Sequence, residues 1–216
     1  MNVDLILCIV GFLGGILCST ADIFLDLKGK GDKEINNIHS NWKKMSLWRF
    51  HLSINLAAIA VPMYNLGLYS LSRQVADASP TLSHVFLILC YLSNLLAFFI
   101  HATICYMPCI YKALQDDIKA AEKAIKAVID GAMIPFVGGY VLLILGVSGT
   151  VAYAIIADYI HLSIFFILLT PFCTLIIGMA LRFLKREWFY DLPGIIMPSM
   201  GMGFIGLIGA LNILLN

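Results

Sequence analysis

Charged residues are scarce in this sequence. Asp, Glu, Lys and Arg make up 12% of its 216 residues, whereas about a quarter is typical of a soluble globular domain. The formal net charge is only +1, and no basic stripe with interleaved aromatic residues occurs, which argues against a nucleic-acid partner. Long apolar runs take the place of the missing charge, and the mean hydropathy is +0.91. We therefore expect an integral membrane protein that forms a single domain over residues 1–216.

Motifs of characterised membrane enzymes and channels are also missing. There is no H-E-x-x-H, no G-x-S-x-G, no selectivity-filter string and no lysine placed in mid-helix for a retinal Schiff base. The six cysteines lie mostly within apolar runs, where cysteine usually behaves as a small hydrophobic residue. Cys105 and Cys109 are four residues apart, without a matching histidine pair for zinc. From the sequence we assign no catalytic residue, no metal site and no cofactor, and enzymatic activity stays undecided.

Six apolar segments are long enough to cross a bilayer. They predict an all-α membrane protein, a bundle of six transmembrane helices near residues 3–27, 47–72, 82–107, 132–157, 162–184 and 195–215. Between the third and fourth lies an amphipathic stretch, residues 112–130, in which Leu114, Ile118, Ala121, Ile125 and Val128 share one face. We expect this stretch to be a helix lying on the membrane surface. A docking site for a soluble partner is the alternative.

Positive charges predict the orientation of the chain. Of the 14 Lys and Arg residues, 13 lie in or beside the loops after the first, third and fifth segments, and only Arg73 lies on the other side. Cytoplasmic loops carry an excess of positive charge. We therefore expect these three loops in the cytoplasm and both termini outside.

The two halves of the chain share a short pattern. The tetrapeptide H-L-S-I begins at His51 and again at His161, and a proline follows each copy, at Pro62 and Pro171. Three segments per half would place the second half upside down relative to the first, as in many small transporters. The pattern therefore raises a 3+3 inverted repeat as a prediction.

A polar stripe runs along the second segment. Its members are spaced by four or three residues, so they share one face of a helix. They are His51, Asn55, Ala58, Pro62, Asn65 and Tyr69. A helix surrounded only by lipid has no use for such a stripe, so we expect it to line the interior of the bundle. Tyr64 and Asn65 lie next to Pro62, where a kink would free backbone carbonyls beside a cavity.

Ionisable residues near the cytoplasmic ends of the first three segments form the candidate site. Such groups are costly at membrane depth and are usually paired or functional. The predicted substrate-binding residues are Asp22, Asp26, Arg49, His51, Asn55, Tyr64, Asn65 and His101. The alternative is structural: Asp22 or Asp26 pairs with Arg49 or Lys28 near the lipid headgroups, while the histidines bond to nearby backbone or hydroxyl groups.

Glycines recur in the last segment, at positions 201, 203, 206 and 209. Small residues let helices approach closely, so we expect this face to pack within the bundle or to form a homodimer. The G-x-G-x-x-G string that they form follows no strand and opens no soluble helix. It is therefore not a nucleotide-binding loop.

The segments ADIFLDLKGK, SNWKKMSLWRF, VPMYNLG and DLPGIIMPSMGMG together resemble an uncharacterised family of small six-span bacterial integral membrane proteins. The resemblance implies a multi-pass protein of the bacterial plasma membrane and brings no activity, cofactor or substrate. Our leading hypothesis is a protein that binds and transports a small amphipathic or lipid-like molecule through a polar seam near the inner leaflet, with that ligand and membrane lipid as partners. The alternatives are a membrane enzyme that uses Asp22, His51 and His101 as acid and base, and an accessory subunit that binds its partner through the surface helix.

Overall fold

The computed structural model describes residues 2–26, 28, 31–184 and 192–216, which form an all-α protein with one small hairpin. The helices are α1 (Val3–Leu25), α2 (Leu47–Gln74), α3 (Pro80–Ala113), α4 (Ile118–Val141), α5 (Val147–Ile156), α6 (Pro171–Leu184) and α7 (Leu192–Leu215). A five-residue π-helix, Leu142–Gly146, joins α4 to α5. Ile118–Ile156 is therefore one continuous helical segment of 39 residues.

Five helical segments of the described chain are long and apolar enough to cross a membrane: α1, α2, α3, α4–α5 and α7. The all-α prediction is confirmed, whereas no sixth span of this kind is found among the residues that the structure describes. The predicted span at 162–184 is divided into a 3₁₀ helix, Ile164–Leu169, and the 14-residue α6. The division falls at Thr170, which is extended, because the residue before a proline is disfavoured in helical conformation.

The amphipathic stretch at 112–130 is not a separate surface helix. α3 continues to Ala113, and the Asp117 side chain caps the start of α4 by accepting a hydrogen bond of 3.0 Å from the backbone N–H of Ala120. From there α4 runs without interruption into the apolar region. The structure therefore differs from the expected surface helix, since Gly131 lies inside the continuous helix Ile118–Val141, and a single glycine is tolerated inside a helix.

The loop after α1 contains a β-hairpin that the sequence analysis missed. Strand β1 (Glu34–Ile35) pairs antiparallel with β2 (Ile38–His39). The two residues between the strands, Asn36 and Asn37, have φ values of 51° and 64°, as a type I′ turn requires. A 3₁₀ helix, Ser40–Lys44, follows and buries Trp42 against Tyr111 of α3.

Glycines bring α1 close to both α2 and α7. Gly11 faces Gly67 of α2, and Gly15 faces Gly203 of α7; a Cβ atom placed on Gly203 would lie 2.7 Å from the Cα of Gly15. The glycine face of the last helix therefore packs inside the bundle, the first of the two alternatives above. This close packing buries the face of α1 that carries Cys18 and Asp22.

The two H-L-S-I segments have different local structures. The copy that begins at His51 lies inside the continuous helix α2, whereas the copy at His161 precedes the 3₁₀ helix. The two copies thus differ in secondary structure at the positions where the two halves of an inverted repeat should be most alike. The inverted repeat stays a prediction.

Candidate functional site

The centre of the candidate site is a contact between α1 and α3. Asp22 lies one turn before the end of α1, and His101 lies in the middle of α3. The Oδ1 atom of Asp22 is 3.3 Å from the Nδ1 atom of His101, and the two side chains are 6% and 7% exposed. An aspartate and a histidine therefore meet inside the helix bundle, shielded from solvent.

Ser53 of α2 determines which nitrogen of His101 carries a hydrogen. The Ser53 hydroxyl donates its only proton to the backbone carbonyl of Ala21 at 2.8 Å, and its oxygen lies 2.8 Å from His101 Nε2. Since that proton is already used, Nε2–H of His101 must donate to Ser53. The other nitrogen, Nδ1, then faces Asp22 with one proton between them, because two bare lone-pair atoms would repel each other.

Cys18 completes a cluster of three different donor groups. It lies one helical turn before Asp22 on the buried face of α1. The donor atoms of Cys18, Asp22 and His101 all lie within 4.8 Å of one another. The second carboxylate oxygen of Asp22, Oδ2, is buried and has no hydrogen-bond partner within 3.5 Å among the described residues. Such an unpartnered buried oxygen is costly and calls for an explanation.

A cavity of about 190 Å³ adjoins the cluster. Its walls are mostly apolar, with Ile100 and Ile104 of α3, Leu143 and Ile144 of the π-helix and Met202 of α7 among them. Its polar lining comes from Asp22, His101, Tyr64, Tyr140 and Ser199. The volume equals that of about six water molecules at roughly 30 Å³ each. The cavity therefore has room for a small molecule or for one end of a larger one.

Part of the predicted site is brought together in this cavity. Asp22, Tyr64 and His101 line it. Arg49 and Asp26 meet at the edge of the bundle instead, where the Arg49 guanidinium donates to the backbone carbonyl of Asp26 at 3.3 Å. Asp22 is thus held by His101, while Arg49 contacts the end of α1.

The predicted polar stripe on α2 faces outward. His51, Asn55, Ala58, Pro62 and Tyr69 are all exposed, and only Asn65 of the six is buried. The amide of Asn65 donates to the carbonyl of Val61 within the same helix, at 2.9 Å. The expectation that the stripe lines the interior was wrong because α2 packs through a face of small residues, including Ser53, Ala57, Ala60 and Gly67. Small side chains allow closer helix contact than polar ones.

A second buried aspartate–histidine pair lies in the loop hairpin. His39 Nδ1 is 2.6 Å from Oδ2 of Asp32, while Oδ1 of Asp32 accepts from the Ser40 hydroxyl at 2.8 Å and the Asn41 N–H at 3.0 Å. Burial alone would raise the pKa of Asp32, but the hydrogen bonds from Ser40, Asn41 and His39 outweigh it and hold this pKa below its ordinary value. Both oxygens of this carboxylate have partners.

Comparison with known proteins gives one match. A family model described as a family of unknown function, DUF6796, matches residues 1–216. The chain belongs to this family. No curated protein and no solved structure matches it. The DUF6796 assignment covers every residue of the cluster and brings no activity with it.

Several residues of this DUF6796 site were not predicted from the sequence. Cys18 was not among the predicted site residues, although its spacing of four residues from Asp22 was a usable signal. Ser53, Tyr140 and Ser199 carried no such signal. They join the site only through the packing of α2, the π-helix region and α7.

Proposed function

We propose that this protein binds and moves a small amphipathic or lipid-like molecule, whose polar end lies beside Asp22 and His101 in the cavity between the helices. The observation that carries the proposal is the Asp22–His101 pair on the wall of a mostly apolar cavity. Ligand sites in proteins have this composition, with apolar walls for the body of a ligand and a few placed polar groups for its orientation. We propose that Arg49, at the edge of the bundle beside the end of α1, attracts an anionic headgroup.

The location of the cavity suits a ligand that comes from the membrane. Every wall is contributed by a helix that is long and apolar enough to span a bilayer. We propose residence in a bacterial plasma membrane, with the Lys- and Arg-rich loops in the cytoplasm and both termini outside. This orientation requires the divided segment at 162–184 to complete a sixth crossing, and places Asp22 near the inner leaflet.

A membrane enzyme is the second candidate, favoured by one specific contact. Asp22 and His101 lie within hydrogen-bond reach of each other beside the cavity, as an acid–base pair requires. Ser53 is not a nucleophile in this arrangement, because its side chain is 0% exposed and its hydroxyl donates to Ala21. The chemistry would then be proton transfer by His101 and Asp22.

The test is native mass spectrometry of the purified full-length protein, with a matched pair of variants. Ala97→Leu adds three carbons to a residue that lines the cavity, whereas Ala180→Leu adds the same atoms to an exposed position on α6. We expect a discrete small molecule to be retained by the wild type, by Ala180→Leu and by the exposed-stripe variant His51→Ala, and to be lost from Ala97→Leu. Bulk phospholipid alone, equal in all four proteins, would overturn the binding site.

The identity of the retained molecule then separates the two candidates. After the molecule is extracted and returned to the protein, a transported ligand is recovered unchanged. An enzyme substrate is recovered with an altered mass, and Asp22→Asn and His101→Gln abolish the alteration.

A further inference from the structure

Three buried side chains with different donor atoms meet at one point of the bundle. They are Cys18 and Asp22 of α1 and His101 of α3, and their donor atoms all lie within 4.8 Å of one another. We propose that these residues bind a divalent transition-metal ion of the zinc class, with three protein ligands and a fourth position that faces the cavity. The proposal concerns the metal alone and does not require the cavity to bind an amphipathic molecule.

The spacing of the ligands suits a tetrahedral site. Cys18 and Asp22 are one helical turn apart, so both can reach one ion from the same face of α1. Bonds of about 2.0 Å to nitrogen and oxygen place those two donors about 3.3 Å apart in a tetrahedron. The separation of Asp22 Oδ1 and His101 Nδ1 is already 3.3 Å. The Cys18 sulfur lies within 4.8 Å of both other donor atoms, and a bound zinc ion would hold it at about 3.6 Å from each of them.

The unpartnered oxygen of Asp22 is an independent observation. Oδ2 is buried and has no hydrogen-bond partner among the residues that the structure describes. The carboxylate therefore keeps an unused donor beside the thiol and the imidazole. A divalent cation bound to this carboxylate through Oδ1 would also lie close to Oδ2, and its charge would offset the cost of burying that oxygen, which helix packing alone leaves in place.

The surroundings of His101 match those of a metal ligand. Metal-binding histidines usually donate their second ring N–H to a fixed acceptor, which holds the ring in position. Here Nε2–H donates to Ser53 at 2.8 Å, and the Ser53 hydroxyl is itself fixed by the carbonyl of Ala21. This chain of hydrogen bonds leaves Nδ1, the nitrogen on the side of Asp22, as the ligand atom.

Charge and donor type select the class of metal. A Cys18 thiolate and an Asp22 carboxylate carry two negative charges, which a divalent ion neutralises. The ion would displace the thiol proton and the proton between Asp22 and His101, so the buried cluster is neutral before and after binding. Sulfur and nitrogen ligands favour zinc, cobalt or copper over magnesium and calcium, which prefer oxygen alone.

The fourth position faces groups that a bound ion could act on. Tyr140 and Ser199 line the same cavity as Asp22 and His101. Three protein ligands with one open position are typical of catalytic rather than structural zinc sites. Water or the polar group of a ligand would complete the coordination.

The experiment is titration of the purified, chelator-treated full-length protein with Co²⁺, followed by visible and near-ultraviolet absorption, with Zn²⁺ content measured in parallel. We expect one equivalent of metal per chain and a thiolate-to-cobalt charge-transfer band. Cys18→Ser should lose that band and bind Co²⁺ at least about tenfold more weakly, while the control Cys173→Ser, on α6, behaves like the wild type. Ser53→Ala, which removes the partner of His101, should weaken binding about 10–100-fold.

Two results would overturn the metal site. One is a wild-type protein that binds no Co²⁺ or shows no thiolate band, a result that does not depend on the folding of any variant. The other is Cys18→Ser with the same spectrum and affinity as the wild type. Ala97→Leu, which fills the cavity, should still bind the metal, so loss of the amphipathic ligand and loss of the metal are measured separately.

Discussion

The described part of the chain contains two buried aspartate–histidine pairs, and they differ in how their carboxylates are satisfied. Exposure does not separate the pairs, since the side chains are 6% and 7% exposed for Asp22 and His101, and 7% and 10% for Asp32 and His39. Asp32 has partners on both oxygens. Asp22 has an oxygen, Oδ2, without one. In the loop pair, Asp32 and His39, both carboxylate oxygens are therefore hydrogen-bonded. In the deep pair, Asp22 and His101, one carboxylate oxygen is not.

The pairs also differ in how they are assembled. Asp32 and His39 are seven residues apart, and one tight turn brings them together. Asp22 and His101 lie on different helices, α1 and α3. Both helices pack against α2, and α1 also packs against α7 through close glycine contacts, so the packing of helices positions the pair. Changes in helix packing should therefore disrupt the deep pair alone. Three experiments test the difference between a pair held by a local turn and a pair held by helix packing, and a change at a glycine contact should have the largest effect.

Gly203→Ala should disrupt the contact between Asp22 and His101 by pushing the backbones of α1 and α7 apart. The added Cβ would lie 2.7 Å from the Cα of Gly15, so α1 and α7 must separate, at a cost of about 3 kcal/mol in the free energy of unfolding. We expect a lower thermal unfolding midpoint and weaker Co²⁺ binding, with unchanged hydrogen exchange in the hairpin peptide 33–41. Gly149→Ala is the control, since no atom lies within 4 Å of its added Cβ. Equal midpoints for the two variants would contradict the packing argument.

Truncating each histidine compares the two pairs directly. His101→Ala leaves a buried carboxylate without its partner and removes the donor to Ser53, which should cost about 2 kcal/mol in the free energy of unfolding. His39→Ala leaves Asp32 with the Ser40 and Asn41 hydrogen bonds and should cost about 1 kcal/mol or less. Thermal unfolding in one detergent measures both. A larger loss of stability for His39→Ala than for His101→Ala would contradict this expectation.

Acid should loosen the hairpin, with the smallest effect of the three. The pKa of Asp32 lies below its ordinary value in the folded protein, so its contribution to stability is fully present above the unfolded value of about 3.9 and is lost as pH falls through the folded pKa. We expect hydrogen exchange in peptide 33–41, corrected for the intrinsic rate, to rise below pH 4. Asp32→Asn should show no such rise. An identical rise in Asp32→Asn would assign the change to another group.

Three of the predicted site residues line the cavity: Asp22 of α1, Tyr64 of α2 and His101 of α3. Asp22 and His101 are buried, because ionisable residues within an apolar run are seldom turned toward lipid. On α2 the same reasoning chose the polar face, and the structure buries the face of small residues instead. α2 carries both a polar stripe and a stripe of small residues, and helical spacing alone does not show which of the two is buried.

The sequence by itself determined that this chain is a set of apolar helices with almost all of its positive charges in three short stretches, 28–49, 112–126 and 182–186, since hydropathy and charge are properties of local segments. It also limited the ionisable groups near the ends of those helices to a few. Only the tertiary structure decided that Ser53 orients His101, that Cys18 joins Asp22 and His101, and that Oδ2 of Asp22 is left without a partner. Those relations depend on which helix faces meet, and that choice rests on close glycine contacts between residues far apart in the sequence.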